Sequence, residues 1–286
     1  SNYISKSKHN VAHHYDLSDK LYELFLDPDR QYSCAYFNSP NDTLEQAQIN
    51  KKELISKKLL LEEGQSVLDI GCGWGGMAAH IYKKSNASVV GVTLSEEQYA
   101  YANQRKINEK LDKVEYRLQD YRNVNETYDR IVSVGMFEHV GTSHYQEFFN
   151  KVHDLLNDTG VALIHTIGRL TEPTNNDPWI EKYIFPGGYI PALSETMSRV
   201  EKSGLSLTDV QVLRFHYAET LKRWRYNFYD NIDKVKELYD EKFCRMWDFY
   251  LSSSQASFEE AGLVVFQLQL SKNKKTVPDS RNYMLT

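Results

Sequence analysis

Cysteine is scarce in this sequence of 286 residues. The three cysteines, Cys34, Cys72 and Cys244, are far apart and form no Cys-x-x-Cys pair. An odd number of widely spaced cysteines argues against a disulfide framework and is typical of a reducing compartment. The histidines also lack the spacing of zinc ligands on one helix face. The sequence therefore predicts no bound metal.

An excess of positive charge and long hydrophobic runs are also missing. The net charge is −5, so no overall attraction to nucleic acid is expected and we predict no nucleic-acid partner. No apolar run approaches the ~20 residues that a membrane helix needs, and there is no signal-peptide pattern. These absences predict a cytoplasmic protein. Because the sequence does not open with methionine, a targeting segment outside it stays an open alternative.

Short apolar runs alternate with helical periodicity in the middle of the chain. Five runs have the character of buried parallel strands: "SVLDI", "SVVGV", "VEYRL", "RIVSVG" and "VALIHTI". The stretches between them have helical spacing: 74–84, 95–110 and 144–156. Strand and helix in regular alternation are typical of a doubly wound sheet. The predicted fold class is therefore α/β, with a doubly wound, Rossmann-like sheet.

The two ends of the chain have a different texture. Amphipathic helices are predicted over 16–27, with Asp16 or Ser18 as N-cap, and over 43–64, where Gly64 ends the helix. After the fifth run come a proline-rich ordered loop, a helix, a strand, two aromatic-rich helices and a final strand: 171–191, 193–204, 206–214, 217–232, 233–261 and 262–272. We expect one domain over 1–286. Its parts are a helical cap (1–62), a cofactor-binding core (63–168) and a substrate-binding part that includes the last strands (169–286).

The stretch "VLDIGCGWGG" (67–76) leaves a predicted strand through a turn with four glycines. Their spacing fits a dinucleotide fingerprint only in part, and no Lys-Ser/Thr pair follows, which excludes a P-loop. Asp69 lies two residues before the first glycine. A carboxylate there would repel the phosphates of NAD but can bind the ammonium group of S-adenosylmethionine, which favours the latter cofactor. The alternative is a turn whose glycines only permit tight packing.

Residues that follow the second and third predicted strands also bear on the choice between S-adenosylmethionine and NAD. The second strand ends in Thr93, where methyltransferases often have an acid for the ribose hydroxyls. Gln98, in the first turn of the next helix, is the weaker substitute. Asp120, after the third strand, is positioned to accept a hydrogen bond from an adenine amino group. A solvated loop acid is the alternative interpretation of Asp120.

A second group of residues is expected at the same edge of the sheet. Glu138 follows the fourth strand, His165 ends the fifth, and Cys34 lies among aromatics in "RQYSCAYF" (30–37). Ligands bind outside the carboxyl ends of strands in open α/β sheets, so Glu138 and His165 should flank one crevice. Each has a structural alternative, a helix-capping glutamate and a hydrogen-bonded core histidine. Their occurrence together beside a cofactor turn favours function.

These motifs resemble the catalytic domain of the cyclopropane-fatty-acyl-phospholipid synthase family, which is similar to the mycolic acid cyclopropane synthases. The resemblance runs nearly end to end through "HHYDLSDKLYELFLD", "QYSCAYF", "VLDIGCGWGG", "GVTLSEEQ", "LQDYR", "GMFEHVG", "HTIG", "FPGGYIP" and "HYAETLKRW". It implies a seven-stranded methyltransferase sheet. It also implies transfer of a methylene group from S-adenosylmethionine to the cis double bond of an unsaturated phospholipid acyl chain. In that family the ring closes through a carbocation and a bound bicarbonate base, so bicarbonate is the second expected cofactor.

The resemblance assigns roles to individual residues. The catalytic residues that it implies are Cys34, Glu138, His165, Tyr217 and, through its backbone N–H, Ile167. The cofactor-binding residues that it implies, beside Asp69, are Tyr32, Ser33, Gly71, Cys72, Gly73, Thr93, Leu94, Gln98, Gln119 and Asp120. The family has "GVT-x-S-x-x-Q" in place of the ribose acid, which accounts for Thr93. The aromatic candidates for stabilising a cation are Tyr32, Tyr36 and Phe137.

The partners implied by the resemblance are lipids at a membrane surface. The helix over 217–232 carries Leu221, Trp224, Phe228 and Ile232 at helical spacing, as an acyl-tunnel wall or, more simply, as a core stripe. Its basic residues, Lys222, Arg223 and Arg225, are candidates for headgroup contacts on the inner face of the membrane, or form a solvated face. Bacterial members usually carry another domain before "HHYD", on which we expect lipid delivery and the contacts of a homodimer to depend.

Two other functions stay open at this point. The first is an S-adenosylmethionine-dependent enzyme that adds a methyl branch to an unsaturated lipid instead of a ring. The second is a lipid-binding homologue that has lost catalysis and retained the fold. A nicotinamide dehydrogenase is disfavoured by Asp69 and by the missing ribose acid.

Overall fold

A computed structural model describes residues 17–175 and 189–285. The "HHYD" motif and most of the proline-rich loop predicted over 171–191 lie outside the described residues. Within them the chain forms a seven-stranded sheet: β1 (Ser66–Ile70), β2 (Ser88–Thr93), β3 (Val114–Leu118), β4 (Tyr128–Val134), β5 (Leu156–Arg169), β6 (Ser206–Leu213) and β7 (Leu263–Ser271). The strand order is β3-β2-β1-β4-β5-β7-β6. This confirms the seven-stranded α/β methyltransferase fold.

The last strand makes the sheet mixed. β7 lies between β5 and β6 and is antiparallel to both, whereas the other neighbouring pairs are parallel. All nine residues of β7 are buried. An apolar run of this kind indicates burial on both faces but carries no information about strand direction.

The helices cover the sheet and form the cap. They are α1 (Asp19–Phe25), α2 (Leu44–Lys58), α3 (Gly76–Ser85), α4 (Glu96–Glu109), α5 (Tyr145–Leu155), α6 (Leu193–Ser203), α7 (His216–Asp230), α8 (Ile232–Leu238) and α9 (Glu241–Glu260). Ser18 is the N-cap of α1 and accepts a hydrogen bond from the backbone N–H of Lys20, which settles the choice between Asp16 and Ser18. No helix among these described ranges is long and apolar enough to cross a bilayer.

Two helices differ from the predicted lengths. The helix predicted over 43–64 ends at Lys58, because the guanidinium group of Arg130 on β4 binds the carbonyls of Leu59 and Leu60 and Leu60 turns to φ +52°. The helix predicted over 233–261 is two helices, because Asp240 caps α9 by accepting from the N–H of Phe243 at 2.7 Å. Both breaks depend on side-chain contacts with the backbone rather than on glycine or proline.

Three hydrophobic clusters surround the sheet. One packs α5 and α6 on the strands, and another packs α3 and α4 on the opposite side. The third joins the cap to α7, α8 and α9, and it includes Cys34, Ile167 and Trp224. The strand order reverses between β1 and β4, where the crevice of a doubly wound sheet opens.

Candidate active site

The glycine turn joins β1 to α3 by backbone geometry that side chains disfavour. Gly71, Gly73 and Gly75 have φ values of +77°, +55° and +88°. The N–H groups of Gly71 and Cys72 both donate to the carbonyl of Val92 on β2, at 3.0 and 2.9 Å. At Gly75 a Cβ would lie 2.6 Å from the hydroxyl oxygen of Tyr116. The turn is therefore held closely against the neighbouring strands, and its backbone borders the crevice.

A cavity of about 300 Å³ lies at this turn. All eleven residues proposed to bind the cofactor line it: Tyr32, Ser33, Asp69, Gly71, Cys72, Gly73, Thr93, Leu94, Gln98, Gln119 and Asp120. They come from the loop after α1, from the ends of β1, β2 and β3, and from the first turn of α4. A cavity of this volume fits a nucleoside-sized ligand.

Asp69 is the unusual residue in this cavity. It is 2% exposed, and its Oδ2 is buried without a hydrogen-bond partner among the described residues. Burial raises the pKa of its carboxyl to about 7. A buried carboxylate is costly unless it is paired, so a cationic group such as an ammonium would relieve this cost. The charge requirement at Asp69 therefore fits S-adenosylmethionine better than NAD.

The polar side chains predicted to bind the ribose and the adenine already have hydrogen-bond partners within the protein. The hydroxyl of Thr93 donates to Oε1 of Gln98 at 3.0 Å, which links the end of β2 to the first turn of α4. Asp120 binds the guanidinium group of Arg122 at 2.8 Å and accepts from its backbone N–H at 2.9 Å. Asp120 is therefore not the solvated loop acid of the alternative interpretation, and it is 5% exposed.

Sequence reasoning missed several residues of this cavity. Trp74 lies inside the glycine turn, and Arg30 lies over its ring with Cζ 5.1 Å from the ring centroid. Arg30 also forms ion pairs with Asp19 and Glu23 of α1. The position of Trp74 within the turn was a usable signal. The position of Arg30 in the cavity depends on contacts with α1, and no local sequence pattern indicates it.

Glu138 and Ile167 meet directly beside the third cluster. The backbone N–H of Ile167 on β5 donates to Oε1 of Glu138 at 2.6 Å. Oε2 of Glu138 is buried without a hydrogen-bond partner among the described residues. Burial raises the pKa of this carboxyl to about 7. Glu138 is thus not a helix-capping residue but a carboxyl with one oxygen held and the other available.

The remaining catalytic candidates are also buried. Nε2 of His165, two residues before Ile167 on β5, is likewise buried without a partner among the described residues. Burial raises the pKa of the Tyr217 hydroxyl well above 10, and the charges of Tyr250, Cys34 and Glu138 raise it further. Burial also raises the pKa of the Cys34 thiol to about 12, so Cys34 stays a neutral thiol. The geometry therefore brings Cys34, Glu138, Ile167 and Tyr217 together.

Two of the three aromatic candidates for cation stabilisation are engaged elsewhere. Phe137 is fully buried and stacks on Tyr145 at 4.4 Å between ring centroids, in the cluster under α5. Tyr36 stacks on His216 at 4.5 Å. Phe137 is therefore corrected to a core residue. Tyr32 alone of the three also lines the cavity.

No group of three or more potential metal ligands occurs in the described ranges 17–175 and 189–285. The candidate catalytic residues contribute carboxyl, imidazole, thiol, phenol and backbone N–H groups in the part of the chain that the structure describes. This donor set is suited to a small oxygen-containing anion and to proton transfer.

Comparison with known proteins decides the family. A model of the family described as mycolic acid cyclopropane synthetase matches residues 3–268. The chain belongs to this family. It is 42% identical over 259 residues to a cyclopropane-fatty-acyl-phospholipid synthase of Escherichia coli, a match that covers 91% of this chain and 66% of that protein. It is 39% identical over 267 residues to a probable fatty acid methyltransferase of Pseudomonas putida, covering 90% of this chain and 68% of the relative.

A solved structure supports the cofactor. A mycolic acid cyclopropane synthase complexed with SAH and CTAB superposes with a TM-score of 0.86 at 36% identity, covering 92% of this chain and 97% of the other. The mycolic acid cyclopropane synthetase family thus accounts for the fold and for S-adenosylmethionine as the cofactor, and the predicted class of methyltransferase is confirmed. The chain spans about two thirds of the length of the Escherichia coli and Pseudomonas putida relatives.

Proposed function

We propose that this protein transfers a methylene group from S-adenosylmethionine to the cis double bond of an unsaturated acyl chain in a membrane phospholipid, forming a cyclopropane ring. In this reaction the C–S bond of the sulfonium breaks, the methyl carbon bonds to one alkene carbon, and a carbocation forms at the other. A bound bicarbonate would supply the base that removes a proton from the new methyl group, after which the second C–C bond closes. S-adenosylhomocysteine leaves, and the proton passes to solvent.

The observation that carries this proposal is that two acid–base side chains, Glu138 and His165, each have a buried atom, Oε2 and Nε2, without a partner among the described residues. Buried polar atoms are normally paired, so unpaired ones on side chains at the ends of β4 and β5 support a bound ligand. A bicarbonate has both a proton to donate and oxygens that accept, which fits a site that offers a carboxylate as well as an imidazole. Glu138 would accept the bicarbonate proton, and Tyr217 and His165 would donate to its oxygens.

The backbone N–H of Ile167 limits how the anion binds. Its acceptor here is Oε1 of Glu138 at 2.6 Å. A bicarbonate bound at the position that the resemblance implies must share this donor or displace that oxygen. In either case Glu138 holds the anion against β5, and the neutral thiol of Cys34 lies on the side of the third cluster.

An aromatic surface supports an acyl substrate next to the cofactor. Tyr32 lines the cavity, and its ring centroid lies 5.9 Å from that of Phe25 and 5.3 Å from that of Trp224. The stripe of Leu221, Trp224 and Phe228 is fully or almost fully buried, as in the simpler interpretation of a core stripe. We therefore propose that the acyl chain approaches along Tyr32 rather than along the buried side of α7.

Membrane contact is proposed for the outer side of α7. Phe215 and Tyr226 are exposed by 58% and 53% of their surface, which is high for large aromatic residues. The basic residues are less available, because Arg223 pairs with Glu219 at 2.8 Å and Arg225 with Asp248 at 3.3 Å. Phe215→Ser should therefore weaken cosedimentation with phospholipid vesicles more than Arg223→Gln. The reverse order would assign the contact to charge. A homodimer is the assembly that we propose to test by light scattering.

The decisive experiment uses S-adenosylmethionine with a trideuterated methyl group and vesicles of a cis-unsaturated phospholipid. Ring formation removes one deuterium from the transferred group, so the product retains two and no longer reacts with ozone. Vesicles of a saturated phospholipid provide the matched control and should gain nothing. A product that still reacts with ozone would contradict the proposal.

The 39% identity to a probable fatty acid methyltransferase favours one alternative, the addition of a methyl branch. The same assay separates the two reactions, because a cation that loses a proton from the acyl chain instead becomes a methyl-branched alkene, which retains all three deuteriums and still reacts with ozone. A protein that binds S-adenosylhomocysteine but transfers no label from any vesicle would instead be a lipid-binding homologue without catalysis.

A further inference from the structure

A row of polar side chains crosses three neighbouring strands behind His165. His165 on β5 is directly opposite Gln267 on β7, and Gln267 is directly opposite Gln211 on β6. His165 and Gln267 are 2% and 1% exposed. Lys58, the last residue of α2, is 1% exposed and lies over the same row. Three buried polar side chains and the partly buried Gln211 therefore lie together, and little water is present to replace a hydrogen bond that points the wrong way.

Lys58 determines the orientation of the Gln267 amide. Its Nζ donates to Oε1 of Gln267 at 2.6 Å and also to Oε1 of Gln211. An ammonium group has donors only, so the oxygen of the Gln267 amide must face Lys58. The NH₂ group of Gln267 then faces His165, with Nε2 of Gln267 3.1 Å from Nδ1 of His165. An amide NH₂ donates and does not accept, so Nδ1 of His165 must be the acceptor.

Because His165 is neutral, the direction of its hydrogen bond with Gln267 determines which ring nitrogen carries the proton. Burial lowers the pKa of His165 well below 6.5, and the positive charges of Lys51 and Lys58 lower it further. The ring is therefore neutral at physiological pH and carries one proton. Because Nδ1 accepts from Gln267, that proton resides on Nε2, the atom that has no partner among the described residues.

We propose that Gln267 is a positioning residue that, oriented by Lys58, holds His165 in the Nε2–H tautomer and so presents a proton donor to the anion beside Glu138. This inference rests on the proposed function, since it names what His165 offers to a bicarbonate. The opposite tautomer would direct a lone pair at an oxygen of the anion and repel it. Gln267 itself touches neither substrate nor anion in this assignment.

Gln267→Glu tests the proposal with little change in shape. Both carboxylate oxygens accept, so one can take the Lys58 bond while the other accepts from Nδ1–H of His165. The variant should therefore reverse the tautomer. Gln211→Glu is the matched control, because it introduces the same charge beside the same lysine without contacting His165. Gln267→Met removes the hydrogen bond with a similar side-chain volume and should release the ring into a mixture of tautomers.

The ring protonation can be read directly by ¹⁵N NMR of protein labelled at histidine, with His165→Asn to identify the signals. We expect protonated Nε2 in the wild-type protein and in Gln211→Glu, and protonated Nδ1 in Gln267→Glu. The kcat of Gln267→Glu should fall at least ~100-fold, as for loss of one preorganised donor, with the KM for S-adenosylmethionine unchanged. A purely structural role of Gln267 would not lower kcat while leaving the KM for S-adenosylmethionine unchanged.

Three results would overturn the inference: a wild-type His165 protonated on Nδ1, an unreversed tautomer in Gln267→Glu, or a reversed tautomer with wild-type kcat. If the wild-type protein transfers no methylene group, the proposed function fails separately. The tautomer measurement still decides the role of Gln267 in that case, with bicarbonate titration of the same NMR signals replacing kcat.

Discussion

Replacing Glu138 with glutamine separates the chemistry of this residue from its shape. Glutamine retains an oxygen that can accept from the Ile167 N–H, which now bonds Oε1 of Glu138 at 2.6 Å. At the other position it places an NH₂ group, which neither accepts a hydrogen bond nor takes up a proton. A positioned general acid or base contributes about 10²–10⁴-fold to a rate. We therefore expect turnover of E138Q to fall at least ~100-fold, with unchanged affinity for S-adenosylhomocysteine, since Glu138 does not line the cofactor cavity.

E138Q should also have a higher free energy of unfolding than the wild-type protein at high pH. Burial raises the pKa of Glu138 from 4.5 to about 7, so the native state binds this proton more tightly than the unfolded chain does. The stabilisation from this proton is full below pH 4.5 and is lost as the pH rises through 7. A difference of this size between the pKa values of the native and unfolded states corresponds to about 3 kcal/mol in free energy of unfolding. Because glutamine does not ionise, E138Q should exceed the wild-type protein in free energy of unfolding by up to about 3 kcal/mol at pH 8.

Three measurements check this reasoning. Calorimetric titration gives the affinity for S-adenosylhomocysteine, labelled S-adenosylmethionine gives turnover, and urea unfolding at pH 5 and pH 8 gives the stability. Glu201→Gln, the same change at an exposed position of α6, is the matched control and should alter none of them. Wild-type turnover in E138Q would remove Glu138 from the chemistry. A stability difference that does not grow with pH would refute the assigned burial of an ionisable carboxyl.

Further predictions concern the cofactor turn, a second glycine outside it and the thiol of Cys34. Burial raises the pKa of Asp69 to about 7, so wild-type affinity for S-adenosylhomocysteine should fall about tenfold per pH unit below that value, whereas Asp69→Asn should bind weakly and without this pH dependence in calorimetry. Gly75→Ala should lose at least ~2 kcal/mol in urea unfolding, because its φ is +88° and the new Cβ meets Tyr116. Gly64→Ala, with φ +81° and no neighbour within 4 Å, should lose only about 1 kcal/mol, and equal losses would refute the steric argument. Iodoacetamide at pH 8 should not alkylate Cys34 in the folded protein, since the thiol is fully buried with its pKa raised to about 12, and labelling seen by mass spectrometry before unfolding would contradict this.

Local patterns predicted the parts of the molecule that depend on local physics. The strands β1 to β4 follow from short apolar runs. Asp69, Thr93, Gln98 and Asp120 follow from one glycine turn and the strand ends, whereas other cofactor residues, such as Tyr32, Ser33 and Gln119, were implied by the family resemblance. All eleven cofactor residues line the same cavity. The carboxyl ends of parallel strands share one edge of a sheet, so motifs far apart in sequence converge without any knowledge of the tertiary structure.

Long-range contacts explain what the sequence did not reveal. Lys58 occurs in a helix that is rich in lysine, where a solvated position is the natural expectation, yet it is buried because Gln267 and Gln211 accept its hydrogen bonds from strands more than 150 residues away in sequence. The early end of α2 has the same origin, since Arg130 comes from β4. Phe137 was misassigned because its position beside Glu138 gave no information about which side of the loop faces the crevice.

The insertion of β7 between β5 and β6 has a consequence for biosynthesis. A ribosome completes β5 and β6 well before it reaches Leu263–Ser271, so both strands present unpaired edges until the last strand emerges. Exposed edges of apolar strands favour pairing with other chains. Gln267, on that last strand, arrives together with the strand that closes the gap. The nascent chain should therefore complete its sheet and orient His165 in a single late step. Premature termination before β7 should yield a product that aggregates rather than one that is partly active.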